Sequence, residues 1–317
     1  MDAKNPEKPT YDRALLAAYP PGSPFKILTG LVGLQEGVID PQTSFTCNHG
    51  FSYGRGAFMR CHCPGGVVQL NFGIYKSCNT YFANVYKRTI EKYKRPKDGV
   101  DVWSNHLKSF GLGKFMGYDL PPGRKGHIPT SKFYEHFYPN GGWRSTTIIS
   151  NSIGQGEVSM TPIQLANMMA TVANRGYYYT PHIIKKIKGE QIDPKFRIKH
   201  QTTIDRKYFD PVVEGLFGVF NYPGGTGNAL QVKGIDICGK TGTVQNPHGK
   251  DHSVFIAFAP RDNPKIAIAV FVENAGAGGA VAAPIVSLMI EKYLKGKVTK
   301  EKESNLNKVE EPNIINR

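Results

Sequence analysis

The sequence predicts an α+β fold in which helices cover an antiparallel sheet, and three observations carry that prediction. Apolar residues recur with a helical period through the first two-thirds of the chain. After about residue 230 the period changes, and three strand-like segments follow one another with turn residues between them. An apolar helical segment, AAPIVSLMIEKYL at 282–294, then closes the pattern. Helices followed by strands and a last helix place helices against an antiparallel sheet. Three strands make a small sheet for so many helices, so either one face is poorly covered or, as the expected reading, strands are missing on the N-terminal side.

In order along the chain, residues 1–18 form a polar N-terminal segment with little core material before ALLAAYP at 14–20. Gly22 and Ser23 suit a turn and a cap, and Pro24 suits a first helical position, where no amide hydrogen is needed. Ile27, Leu28, Leu31, Val32 and Leu34 then follow a helical spacing, which predicts a buried helix over 23–36 that ends at Gly37. Residues 40–66 read as a loop rich in Gly, Cys, His and Arg. Helical periodicity returns over 70–90, with Ser77 near the middle, and 91–150 reads as mixed and loop-rich. VSMTPIQLANMMATVANRG at 158–176 predicts a helix capped by Thr161, with Pro162 in the first turn and Gly176 closing it. A short helix is expected at 210–220. The strands are GIDICGKTGTVQ, HSVFIAFAP and PKIAIAVFVEN, and the charged, apolar-poor tail 295–317 is expected to be disordered.

At 317 residues the chain can bury a full core. The net charge of +15 suits anionic partners such as nucleic acid, an acidic polymer or a membrane surface. The basic residues are scattered, without an aromatic-basic RNA signature or a recognition-helix pattern, so no nucleic-acid partner is expected. No apolar run approaches the 18 or more residues of a membrane span, and no signal peptide follows Met1. Any address or anchor is therefore expected to be absent from this chain.

Candidate chemistry begins with Ser23 and Lys26. Positions three apart on a helix are neighbours, so the Lys26 amine can reach the Ser23 hydroxyl. Packing around Phe25 and Ile27 that excludes water would strip charge from the amine and make it a base, and the helix N-terminus would favour negative charge near Ser23. That describes an activated nucleophile. The same residues also suit a plain cap followed by a surface lysine, so partners elsewhere must decide. One candidate is Ser77-Cys78-Asn79; it also suits a helix kink and a cap. Another is Lys240-Thr241-Gly242-Thr243, which also suits an ordinary turn before a hairpin. In a strand, Gly242 would let a ligand backbone approach closely, an edge strand could pair with an extended peptide, and Lys240 would add positive charge.

The ordered set Ser-x-x-Lys, Ser-x-Asn, Lys-Thr-Gly marks serine β-lactamases and penicillin-binding proteins. Together YPPGSPFK, SCNTYF, NSIGQGEVSMTPIQLA, GKTGTVQ and ENAGAGGAVAAPIV resemble the class B penicillin-binding proteins of the elongation type, peptidoglycan D,D-transpeptidases, from about Tyr11 to Leu294. The resemblance implies a transpeptidase domain over 19–294, part of a larger protein that sits on the periplasmic face of the inner membrane. Ser23 would attack the penultimate D-Ala carbonyl of a stem peptide ending in D-Ala-D-Ala and form an acyl-enzyme. Lys26 would take the serine proton, and Ser77 and Lys240 would relay one to the leaving amine. Asn79 would hold the substrate backbone, and Thr241, Gly242 and Thr243 would line the substrate strand, the two threonines binding its carboxylate. Backbone amides of Ser23 and Thr243 would form the oxyanion hole. β-Lactam antibiotics would acylate the same serine, and the full-length protein would engage cell-wall elongation proteins. Catalysis would need no cofactor. The alternatives are a serine β-lactamase, for which no water-activating Glu stands out, and a non-catalytic β-lactam-binding sensor.

Five cysteines, Cys47, Cys61, Cys63, Cys78 and Cys238, do not fix the redox compartment. In an extended segment positions i and i+2 face one side, which pairs Cys47 with His49 and Cys61 with Cys63 and turns His62 away. Those four soft ligands suit a structural zinc that staples the 40–66 loop, and the resemblance to zinc-binding elongation-type relatives supports it. A disulfide or free thiols are the alternatives, with Cys78 and Cys238 expected to be packed small residues.

Overall fold

A computed structural model of the protein describes residues 8–54, 56–120 and 123–299. Residues 1–7, and most of the charged tail expected at 295–317, lie outside the described residues. The N-terminal segment holds one short helix, α1 (Arg13–Leu16), after which Tyr19 stacks on Phe271 with ring centroids 3.9 Å apart. The helix expected from Ser23 begins as a 3-10 turn, Ser23–Phe25, and continues as α2 (Lys26–Gln35). Lys26 through Leu34 are all buried, so α2 runs through the core instead of lying on it.

The region read as a loop contains four short strands, β1 (Phe45–Cys47), β2 (Gly50–Gly54), β3 (Ala57–Arg60) and β4 (Gly66–Val68). They form two antiparallel pairs, β1 with β4 and β2 with β3. Strands this short leave little alternation to read. The single helical stretch expected at 70–90 is two helices, α3 (Leu70–Tyr75) and α4 (Asn79–Glu91). Ser77 sits between them at φ +57°, in the left-handed region. The Ser77 amide donates to the Ile74 carbonyl and the Cys78 amide to Gly73, the double bond of a Schellman stop. A serine in the position usually held by glycine hid this stop from the sequence. The span 91–150, read as loop-rich, contains α5 (Pro96–Ser109) and α6 (Ser131–Phe137).

Next, α7 (Pro162–Ala173) carries the expected Thr161 cap as a full capping box, with Gln164 bonding back to the Thr161 amide. The pair β5 (Tyr177–Tyr178) and β6 (His200–Gln201) then leads to α8 (Phe209–Asn221). The three expected strands are β7 (Cys238–Val244), β8 (His252–Ala259) and β9 (Ile266–Val272), antiparallel in the order β7-β8-β9, and α9 (Ala282–Lys295) closes the fold. Val254, Ile256 and Phe258 of β8 belong to the main core with α2, α4 and α7, while Phe255, Ala257 and Ala259 pack with Ala282, Val286 and Ile290 of α9. Burial on both faces makes β8 a continuous apolar run. Helices therefore cover both faces of an antiparallel sheet, the predicted α+β class.

Candidate active site

Ser23 is fixed by a backbone interlock. Gly22 adopts φ +62° and its amide donates to the Gly154 carbonyl at 2.8 Å. Gly154, itself at φ +69°, ends the 3-10 turn Ile149–Ile153, and a Cβ there would fall 2.4 Å from the Gly22 oxygen. Positive φ favours glycine at both positions, and the contact leaves no space for a side chain on Gly154. From the other side β7 passes over the turn: a Cβ on Gly242 would meet Pro24 at 2.4 Å, and the Thr243 carbonyl lies against Gly22. The three sequence segments meet here.

The Lys26 Nζ lies 3.1 Å from Ser23 Oγ, 3.0 Å from Ser77 Oγ and 2.8 Å from the Ser77 carbonyl, and Ser77 Oγ lies 3.1 Å from Ser23 Oγ. A neutral amine has two N–H donors and one lone pair. Donating to the Ser77 carbonyl and to Ser77 Oγ leaves the lone pair facing the Ser23 hydroxyl. Burial, with 1% of Lys26 exposed, lowers its pKa from 10.5 to about 8, against a weaker upward pull from the neighbouring cysteines. Lys240 is wholly buried, and burial together with the charge of Lys26 pushes its pKa well down. Its Nζ donates to the Thr241 carbonyl at 3.2 Å.

The remaining expected residues divide. Thr241 and Thr243 keep partly open hydroxyls: Thr241 Oγ1 lies 3.1 Å from Thr226 Oγ1, and Thr243 Oγ1 accepts from the Gly278 amide at 3.2 Å. Asn79 does not join the serine–lysine group. Its side-chain amide donates to the Arg60 carbonyl at 2.7 Å, on the side of the cysteine loop.

The expected metal set needs one correction. Cys47, Cys61, Cys63 and Cys78 form a buried group whose sulfurs lie within 4.8 Å of one another, and His49 is outside it. His49 is exposed at φ +58° in the turn between β1 and β2, so the extended alternation that paired it with Cys47 does not hold there, and its ring rests by Gly65. Cys78, expected to be a packed residue, is the fourth sulfur; Cys238 is packed as expected. Its position, next to the Schellman serine and at the N-cap of α4, was the missed signal. None of the five cysteines is in a disulfide.

Sulfur separations of 3.4, 3.4 and 3.7 Å resemble the ~3.8 Å edge of a zinc–thiolate tetrahedron with bonds of about 2.3 Å. The amides of Asn79 and Tyr81 donate to the sulfurs of Cys61 and Cys78, which favours thiolates. Bonding from the Cys78 thiol pulls Cys61 well below the usual thiol range, while burial pushes Cys63 up, so the first thiolate of the group falls on Cys61. The donor set and its spacing fit zinc.

Residues 1–291 match the family described as penicillin binding protein transpeptidase domain. The chain is 30% identical to the peptidoglycan D,D-transpeptidase MrdA of Haemophilus influenzae over 94% of its own length and 48% of that protein. It thus spans about half the length of that curated relative. Pseudomonas aeruginosa PBP2, solved in complex with WCK 5153, superposes with a TM-score of 0.81 at 30% identity, covering 94% of this chain and 64% of that one. Helicobacter pylori PBP2, solved in complex with MreC, gives a TM-score of 0.77 at 26% identity, covering 92% and 53%. With a family match across nearly its whole length, over the segments that meet at Ser23, the chain belongs to the penicillin-binding protein transpeptidase domain family.

Proposed function

We propose that residues 19–294 form the catalytic unit of a peptidoglycan D,D-transpeptidase of cell-wall elongation. The observation that carries this reading is the closed group of Ser23, Lys26 and Ser77, in which a buried amine faces a serine hydroxyl at 3.1 Å. In the first step Ser23 Oγ attacks the penultimate D-Ala carbonyl of a stem peptide while Lys26 Nζ takes the hydroxyl proton. The C–N bond to the last D-Ala then breaks, and the departing amine receives the proton held by Lys26 through a relay of Ser77 and Lys240. An amine from a second stem attacks the acyl-enzyme, forms the cross-link and returns the proton to Ser23. Thr241 and Thr243 receive the substrate carboxylate along β7, and amides at Ser23 and Thr243 hold the oxyanion. Asn79 orients the substrate backbone once its amide turns from Arg60.

Zinc at Cys47, Cys61, Cys63 and Cys78 would supply a structural cross-link between β1, the end of β3 and the start of α4; it takes no part in acyl transfer. In the full-length protein this unit stands on the periplasmic face of the inner membrane and engages elongation proteins, a reading supported by the MreC complex of the Helicobacter pylori relative. Among the described residues no helix is long and apolar enough to cross a membrane.

Mass spectrometry after treatment with labelled penicillin tests the reading. The adduct is expected on Ser23 and is lost in Ser23→Ala. Labelling elsewhere, or a folded Ser23→Ala protein that still labels, overturns it.

A further inference from the structure

The loop at 222–227 reaches both halves of the active site. On one side Lys76, the residue before Ser77, donates from Nζ to the carbonyls of Gly224 at 2.6 Å and Pro223 at 3.2 Å. Its amine makes no ion pair among the described residues; its charge is directed at two neutral carbonyls, which makes these the stronger, charge-assisted kind of hydrogen bond. Tyr75 supports it, edge-on to Tyr222 with ring centroids 5.5 Å apart. On the other side Thr226 Oγ1 lies 3.1 Å from the hydroxyl of Thr241, the residue after Lys240. The loop itself is tied down: the Gly225 amide donates to Tyr222, the Gly227 amide to Val219, and Asn228 Nδ2 to Phe220.

We infer that Lys76 and Thr226 are positioning residues for acylation: through this loop they set the spacing between the Ser77 turn and β7, and Thr226 aims the Thr241 hydroxyl. The inference rests on the transpeptidase reading above. Ser77 occupies a left-handed turn with no glycine to ease it, so its placement depends on neighbours that hold it. Lys76 is the adjacent residue and is anchored outside its own helix. Thr241 donates its O–H to Thr226 Oγ1, and because hydroxyls rotate, an incoming carboxylate can take the Thr241 O–H while Thr226 donates to Thr241 Oγ1 and keeps it aimed. The two residues therefore act on different steps. Lys76 acts on the bond-forming rate through Ser77, and Thr226 on binding of the carboxylate through Thr241.

Stopped-flow acylation by a labelled penicillin separates these constants. Lys76→Met is expected to slow the acylation step about tenfold with the dissociation constant within about twofold, and Lys76→Arg, which can still donate to both carbonyls, to recover most of it. Thr226→Val is expected to weaken binding about fivefold for the free carboxylate and less than about twofold for its methyl ester, with Thr226→Ser restoring it. Because one loop carries both effects, the double variant should lose less than the product of the two. Should Lys76→Met fold poorly by thermal melting, Gly224→Ala repeats the test, since a Cβ there would fall 2.3 Å from Lys76 Nζ. A folded Lys76→Met variant that acylates at the parent rate, or a folded Thr226→Val variant that binds the free carboxylate as tightly as the parent, overturns the inference, as does Lys76→Arg failing as badly as Lys76→Met. If these occur while Ser23→Ala loses the label, the transpeptidase reading stands and only the positioning roles fall.

Discussion

Two polar groups flank one peptide bond, and they differ in what surrounds them. Ser77 turns its hydroxyl toward Lys26 and Ser23, while Cys78 turns its sulfur toward Cys61. In the first group a single amine meets two hydroxyls and a carbonyl under near-complete burial, so its charged form is disfavoured and it gives up its proton more readily than a free lysine. In the second, four soft ligands face one another with backbone amides aimed at the sulfurs, a setting that stabilises negative charge and suits a cation. The same Schellman turn serves both because Ser77, its left-handed residue, and Cys78, the next residue, send their side chains to different groups. The lesson is that proton-transfer chemistry needs a charge its surroundings disfavour, whereas a structural cross-link needs buried charge that backbone amides stabilise, and one turn can supply each to its own side.

The strongest way to break the contrast is to remove the proposed base. Lys26→Met keeps the stem packed in the core and is expected to lower the acylation rate by about 10²–10⁴-fold, the range for a lost general base; a rate within tenfold of the parent would show that the amine is a packing residue. Acidification probes the same group without mutation. With Lys26 near 8, acylation should rise with pH and level off above about 9, falling about tenfold per unit below its pKa, close to a hundredfold at pH 6. A profile flat from pH 6 to 9 contradicts the buried-amine account. The accompanying stability term has a definite sign. Because the folded value is depressed, this group disfavours folding below about 8 and that cost is relieved as pH rises toward 10.5, so it should raise the melting temperature over that interval.

On the thiol side, Cys78→Ala removes a proposed metal ligand and the cap of α4 together. Loss of bound metal in elemental analysis is expected, with at least the ~1 kcal/mol that a lost N-cap costs. Full metal retention would remove Cys78 from the set. The smallest effect separates the two versions of that set. His49→Ala should leave metal content and melting temperature unchanged, and a drop in either would return the histidine to the site.

How much of this was legible in the sequence depended on distance along the chain. Ser23 and Lys26 lie within one turn, so helical spacing alone placed amine beside hydroxyl. β7, β8 and β9 were legible because each is long enough to show its apolar run, and Thr161 announced α7. The cysteine group was legible only in part. Cys61 and Cys63 share a side, but the fourth ligand comes from the start of a helix, and the turn at His49 breaks the alternation used to choose it. The break between α3 and α4 was hidden because its left-handed residue is a serine, and the four short strands of 45–68 because three to five residues carry too little period. The Thr226 loop carried no motif; only the fold brings it to Thr241.

The Gly22–Gly154 contact has a consequence for how such a centre can change. Two carbonyl-bearing backbones meet there with no intervening side chain, so neither partner can be enlarged to compensate for the other. The main chain beside Ser23 is thereby fixed like a cast part. Adjustment of its reactivity has to enter from the groups that surround it, and a screen for altered drug sensitivity should recover changes in those groups and none at this seam.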